Sequence, residues 1–156
     1  MSVLAQLIWS WIIFLLFNIM DVFTTYLCLY KLPDALKGKE MNPVFHSKTI
    51  KRIGILKIGL MLGGLVLFLQ FFNSNPGEGL TAFRAINIVL GLAILNNLYI
   101  FIGRKVTGKR LPTPIGMAEE GIKKLYPSLD KWSGKIAYYV VTLFVCIISI
   151  GVSLWI

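Results

Sequence analysis

The run from residue 3 to residue 30 is almost wholly apolar and carries a single charged side chain, Asp21. As a helix rising about 1.5 Å per residue, such a run crosses a hydrocarbon core of about 30 Å. A carboxylate inside that core is costly enough to require a partner. Asn18, Asp21, Thr25 and Cys28 fall within about 80° of one another on a helical wheel, so the polar groups form one stripe on an otherwise greasy rod. That stripe must face other protein, which makes the first segment one wall of an assembly of helices.

Three further apolar runs, at about 49–72, 80–103 and 135–156, repeat the length if not the charge. The composition agrees: 56% of the chain is hydrophobic, against about 45–50% in soluble domains. The expected fold class is all-α, a polytopic membrane protein with four transmembrane helices in an antiparallel bundle. The whole chain, 1–156, is read as one domain.

The net charge of +9 would suit a nucleic-acid binder if it were spread over a soluble surface, but its placement excludes that. Six Lys/Arg against two acids between residues 31 and 52 give +4, and eight against three between 104 and 135 give +5. Lys57 and Arg84 cancel Asp21 and Glu78 elsewhere. The positive-inside rule places both basic connections in the cytoplasm of a cell (inner or plasma) membrane, with the N- and C-termini outside. Trp9, Trp11 and Trp155 then fall at one interface and Trp132, Tyr138 and Tyr139 at the other, as aromatic belts do. The first run has no basic leader and no small-residue cleavage site, so a signal peptide is not expected.

Along the chain, Pro33 stops the first helix and Gly38 permits a turn, while Asn42 and Pro43 form a helix-start signal. His46 reads as a headgroup-level side chain, since a lone His with no Cys or carboxylate close in sequence makes a poor metal site. In the second span Gly54 and Gly64 share a face with Lys57, and Gly59 and Gly63 make a GxxxG on another. Small residues so spaced let helix backbones approach closely, so this span is expected at the centre of the bundle. Asn73, Ser74, Asn75, Pro76 and Gly77 form a tight turn. Residues 113–126 have Thr and Pro at their start and Ile115, Ala118, Ile122 and Leu125 on one face. They read as an amphipathic helix on the cytoplasmic membrane surface, or against another subunit. Cys28 and Cys146 lie at different depths and are expected to be packing residues rather than a disulfide.

Depth arithmetic brings the charges together. Asp21 lies nine residues before Tyr30 and Lys57 nine after Lys48, each about 13 Å from the cytoplasmic end of its helix. Asn97 lies about 8 Å in from Ile102 on the third span. A cluster of Asn18, Asp21, Thr25, Lys57 and Asn97 is expected in the inner half of the bundle. It serves either to fix helix register and partner choice, or as part of an ion or proton path or a binding site for a lipid or small solute.

The pattern Asn18, Asp21, Thr25, then Glu40, Asn42, Pro43 and a Lys in the next span resembles the N-x-x-D-x-x-x-T, E-x-N-P, Lys pattern of a family of small uncharacterised prokaryotic integral membrane proteins, a domain of unknown function. The likeness covers about the first 60 residues. It implies that Asp21, Glu40, Asn42 and Lys57 are positions to test together, and it brings no activity with it.

Enzyme chemistry is not expected. The chain has one His, no HExxH, no CxxC pair, no glycine-rich phosphate loop and no second carboxylate at the depth of Asp21. Neither a cofactor nor a metal is called for. The expected function is that of a non-enzymatic membrane subunit or accessory factor. Its partners would be anionic headgroups at the cytoplasmic face and another membrane protein or a homo-oligomer. Ion or small-solute transport through the Asp21 and Lys57 region, by an oligomer, is the alternative.

Overall fold

The structure, a computed structural model, describes residues 1–36 and 50–155, apart from the side chain of Asp34. Glu40, Asn42, Pro43 and His46 lie outside the described residues, and so does the start of the second span. Five α-helices follow in order: α1 (Val3–Tyr30), α2 (Ile50–Ser74), α3 (Pro76–Thr107), α4 (Pro114–Leu125) and α5 (Asp130–Trp155). Single 3-10 turns lie at Asp34–Leu36 and Pro127–Leu129. No strand occurs among the described residues. α1, α2, α3 and the segment Pro127–Trp155 are each long and apolar enough to cross a membrane.

The helices end where capping chemistry ends them, not where hydropathy falls. α3 is 32 residues long, outrunning the apolar stretch 80–103 at both ends. Asn75 accepts from the Glu78 N–H at 3.5 Å, and Pro76, whose missing donor costs nothing there, takes the first helical position. At the other end Gly108 adopts φ +65°, the left-handed conformation in which a residue without Cβ is unstrained. α2 runs on through Asn73 and Ser74, so Asn75 alone separates it from α3. α5 likewise begins five residues before the apolar run at 135.

The most extensive interface joins α1 to α3. Contacts climb the two together: the Arg84 guanidinium donates to Gln6 Oε1 at 2.9 Å, Asn87 to the Ser10 carbonyl at 2.7 Å, and Asn97 to Asp21. Along α1 and α2 they run in opposite senses, with Trp11 stacked on Phe68 at 4.8 Å and Asp21 beside Lys57. α2 packs on α1 and α3, while α5 packs on α3 and α4. Among the described helices only α3 packs on three other α-helices, so the centre is held by α3, which corrects the central place expected for α2.

The glycines of α2 explain the correction. Among the described residues, Gly54, Gly59 and Gly63 have no atom within 4 Å of where a Cβ would stand, so the GxxxG face is open to every described neighbour. Gly64 alone lies against a neighbour, the Phe14 ring of α1. That ring belongs to an apolar core of Leu7, Phe14, Phe68, Leu80 and Phe83, built from the early part of α1, the late part of α2 and the early part of α3. The polar residues lie at the other end of the same three helices.

Candidate functional site

Asp21 projects from the inward stripe of α1, and Lys57 from a buried stripe on α2 that also carries Ile53, Gly64 and Phe68. Spacings of four and seven keep those residues on one helical face, so the burial of Ile53 and Phe68 carries Lys57 inward with them. The Lys57 ammonium meets Asp21 Oδ2 at 2.7 Å, with the two side chains only 8% and 16% exposed. A lone charge at mid-membrane costs about 2.5–3.5 kcal/mol on insertion scales, and mutual attraction offsets much of it.

Neighbours fill the remaining hydrogen-bonding positions. Asn18 donates through Nδ2 to the Phe14 carbonyl at 2.8 Å, which turns its Oδ1 towards Lys57 at 3.5 Å. From α3, Asn97 Nδ2 lies 3.3 Å from each of Asp21 Oδ1, Thr24 Oγ1 and Thr25 Oγ1. An amide has two N–H bonds, so they are shared among three oxygens. The Thr24 hydroxyl donates to the Asp21 carbonyl at 3.2 Å and is left to accept from Asn97. Cys28 places its thiol 3.2 Å from the Asn97 carbonyl. Asn18, Asp21, Thr25, Lys57 and Asn97 thus meet at the junction of α1, α2 and α3. Thr24, which the sequence stripe left out, joins them because it lies one turn from Asp21 towards α3.

One side of this network opens on a cavity of about 780 Å³. Asp21, Thr25 and Lys57 line it together with Asn96 and Asn97. Its far wall is α5, through Tyr138, Val141, Thr142 and Val145, and its end is covered by Thr113, Pro114 and Ile115 at the start of α4. On the opposite side Asn18 and Lys57 border a groove of about 400 Å³ between α1 and α2. Lys57 therefore stands between two clefts.

Comparison with protein-family models, curated proteins and solved structures gives no match to this chain. The chemistry has to be read from the site.

A second buried cation belongs to that site, and the sequence reading missed it. By sequence Arg104 opens the basic stretch 104–135, but it is 7% exposed and lines the cavity. One guanidinium nitrogen donates to the Leu36 carbonyl at 3.0 Å, and its Nε has no hydrogen-bond partner. Arg104 lies four residues after Ile100 and seven after Asn97, the same helical face, and that offset was the available signal. Among the described residues no group of His, Cys, Asp and Glu is placed to hold a metal ion.

Proposed function

We propose that the chain is a multi-pass protein of the cell (inner or plasma) membrane, a four-span bundle with its basic connections in the cytoplasm and its termini outside. In it, α4 lies along the cytoplasmic surface, or on a partner subunit; of its apolar face Ile115, Ala118, Ile122 and Leu125, the exposed Leu125 is turned outward while Ile115 lines the cavity. The protein acts as a non-enzymatic accessory subunit of a larger membrane assembly. The Asp21 and Lys57 pair serves to lock α1, α2 and α3 in register.

The observation that carries this reading is the mutual charge compensation of the pair. Both Asp21 oxygens and the Lys57 ammonium already have protein partners at 2.7–3.5 Å, as befits a structural clamp. The open glycine face of α2 adds support, since a GxxxG surface without a described neighbour suits docking of another helix. Extraction in mild detergent followed by native mass spectrometry tests this reading. Stoichiometric recovery with unrelated polypeptides is expected, and recovery of the chain alone would contradict it.

Transport is the second reading, favoured by the two clefts that flank Lys57. It requires a homo-oligomer whose cation or solute flux in liposomes is abolished by Asp21→Asn.

A further inference from the structure

We propose that the cavity between α1, α3 and α5 is a binding site for one anionic phospholipid, whose phosphate is held by Arg104. The site goes beyond a general attraction of basic loops to a charged bilayer. Of the three charged residues in the cavity wall, Asp21 is paired with Lys57 at 2.7 Å. Arg104 faces no carboxylate among the described residues, so the described part of the cavity wall carries one positive charge in excess. Arg104 as a residue is 7% exposed and its guanidinium has one described partner, the Leu36 carbonyl, so a buried charge there is costly unless something polar meets it. Its planar fork suits the paired oxygens of a phosphate.

Two further features point the same way. The N-terminus of α4, a helix of 12 residues, ends on the cavity at Thr113, Pro114 and Ile115, and the positive end of its dipole favours an anion there. The cavity is also far longer than a free anion needs, and outside the compensated Asp21 and Lys57 pair, Thr25, Asn96 and Asn97 its lining is mostly apolar. From Arg104 it follows α3 back through Ile100 and Ala93 to Val89, about 22 Å at 1.5 Å per residue, with Val141 and Val145 of α5 opposite. A cation near the helix end with an apolar channel running inward matches a headgroup with its acyl chain. Basic pockets between membrane helices are where anionic lipids bind.

Native mass spectrometry of the full chain, purified in non-ionic detergent, tests the site with phosphatidylglycerol, phosphatidylcholine and inorganic phosphate as probes. A single phosphatidylglycerol adduct is expected, with phosphatidylcholine and phosphate bound far more weakly. Arg104→Gln should weaken the adduct about 10-fold or more, the scale of a lost charge-assisted hydrogen bond. Lys105→Gln, at an exposed neighbour, should leave it unchanged. Should Arg104→Gln fail to fold, Ala93→Phe decides, since it fills the apolar channel and leaves the guanidinium in place; it too must weaken the adduct. Equal retention of both lipids, or full binding by either cavity variant, means annular lipid and overturns the proposal. Tight binding of phosphate alone overturns it in favour of a free-anion site. Purification of the chain without any partner would sink the accessory-subunit reading and leave these lipid results standing.

Discussion

Two buried cations on neighbouring helices meet opposite fates. Lys57 has a carboxylate at 2.7 Å and an amide oxygen at 3.5 Å, within a ring of side chains drawn from three helices. Arg104 has one backbone carbonyl at 3.0 Å and an Nε that bonds to nothing. In the first the charge is compensated by a carboxylate of the same chain, which suits the proposed fastening. In the second no carboxylate among the described residues faces the charge, which suits the proposed lipid site. Burial of a charge is thus not by itself a sign of function; how completely its partners are supplied from within the chain is what separates the two.

The largest effect that would break the contrast is at the compensated site. Asp21→Leu strands Lys57, and the loss should be about 3–5 kcal/mol of unfolding free energy, measured by denaturant titration in detergent. A loss under about 1 kcal/mol would mean that the ammonium escapes to water, since surface pairs are worth that little.

The glycines of α2 sharpen the same contrast between a filled and an open side. Gly64→Leu drives a side chain into the Phe14 ring and should cost about 1–3 kcal/mol. Gly59→Leu faces no described residue and should change the stability of the isolated protein by less than about 0.5 kcal/mol. If docking occurs on that face, the same substitution lowers recovery of a partner.

At the uncompensated site the effect on stability should be small. Arg104→Met removes one hydrogen bond and also relieves an uncompensated buried charge, so unfolding in lipid-free detergent should shift by no more than about 1 kcal/mol. A loss as large as that of Asp21→Leu would show that Arg104 is a second fastening.

The smallest effect lies outside the spans. Lys123 on α4 pairs with Glu119 at 2.9 Å and Asp130 at 3.4 Å. The hydrogen bond to Glu119, then that to Asp130, holds its ammonium above the usual lysine range. A raised value in the folded chain means that the contribution is complete below the ordinary lysine pKa. It is lost as pH rises through the raised one. Amide exchange in α4 should therefore be slightly faster in Lys123→Met than in the native chain at neutral pH. That difference should vanish in strong alkali.

Much of this was legible in the chain, and the reasons differ from element to element. The apolar runs mark four helices because a bilayer-length segment has few other ways to satisfy its backbone, and the offsets from Asn18 to Cys28 place their side chains on one face. Matching depths brought Asp21, Lys57 and Asn97 to one level before any contact was known. Hydropathy, however, ends a span at its first charges. That is why α3 was read short and Arg104 was assigned to a loop, although helical periodicity continues through it to the Gly108 cap. The glycines of α2 misled for another reason: a GxxxG face states that something can approach closely, not which helix does. The preference of α1 for α3 rests on Asn87 reaching the Ser10 carbonyl and on Arg84 meeting Gln6, pairings between distant residues that no local pattern encodes.

A double-mutant cycle on Asp21→Leu and Lys57→Met, read as unfolding free energy in detergent, tests most directly whether an acid on α1 and a base on α2 fasten the inner half of the molecule. Each single variant should be strongly destabilised and the pair largely restored, with a coupling of about 2 kcal/mol or more. Additive losses, with no recovery in the double variant, would show that the two groups do not act on each other and that the fold is held by something else.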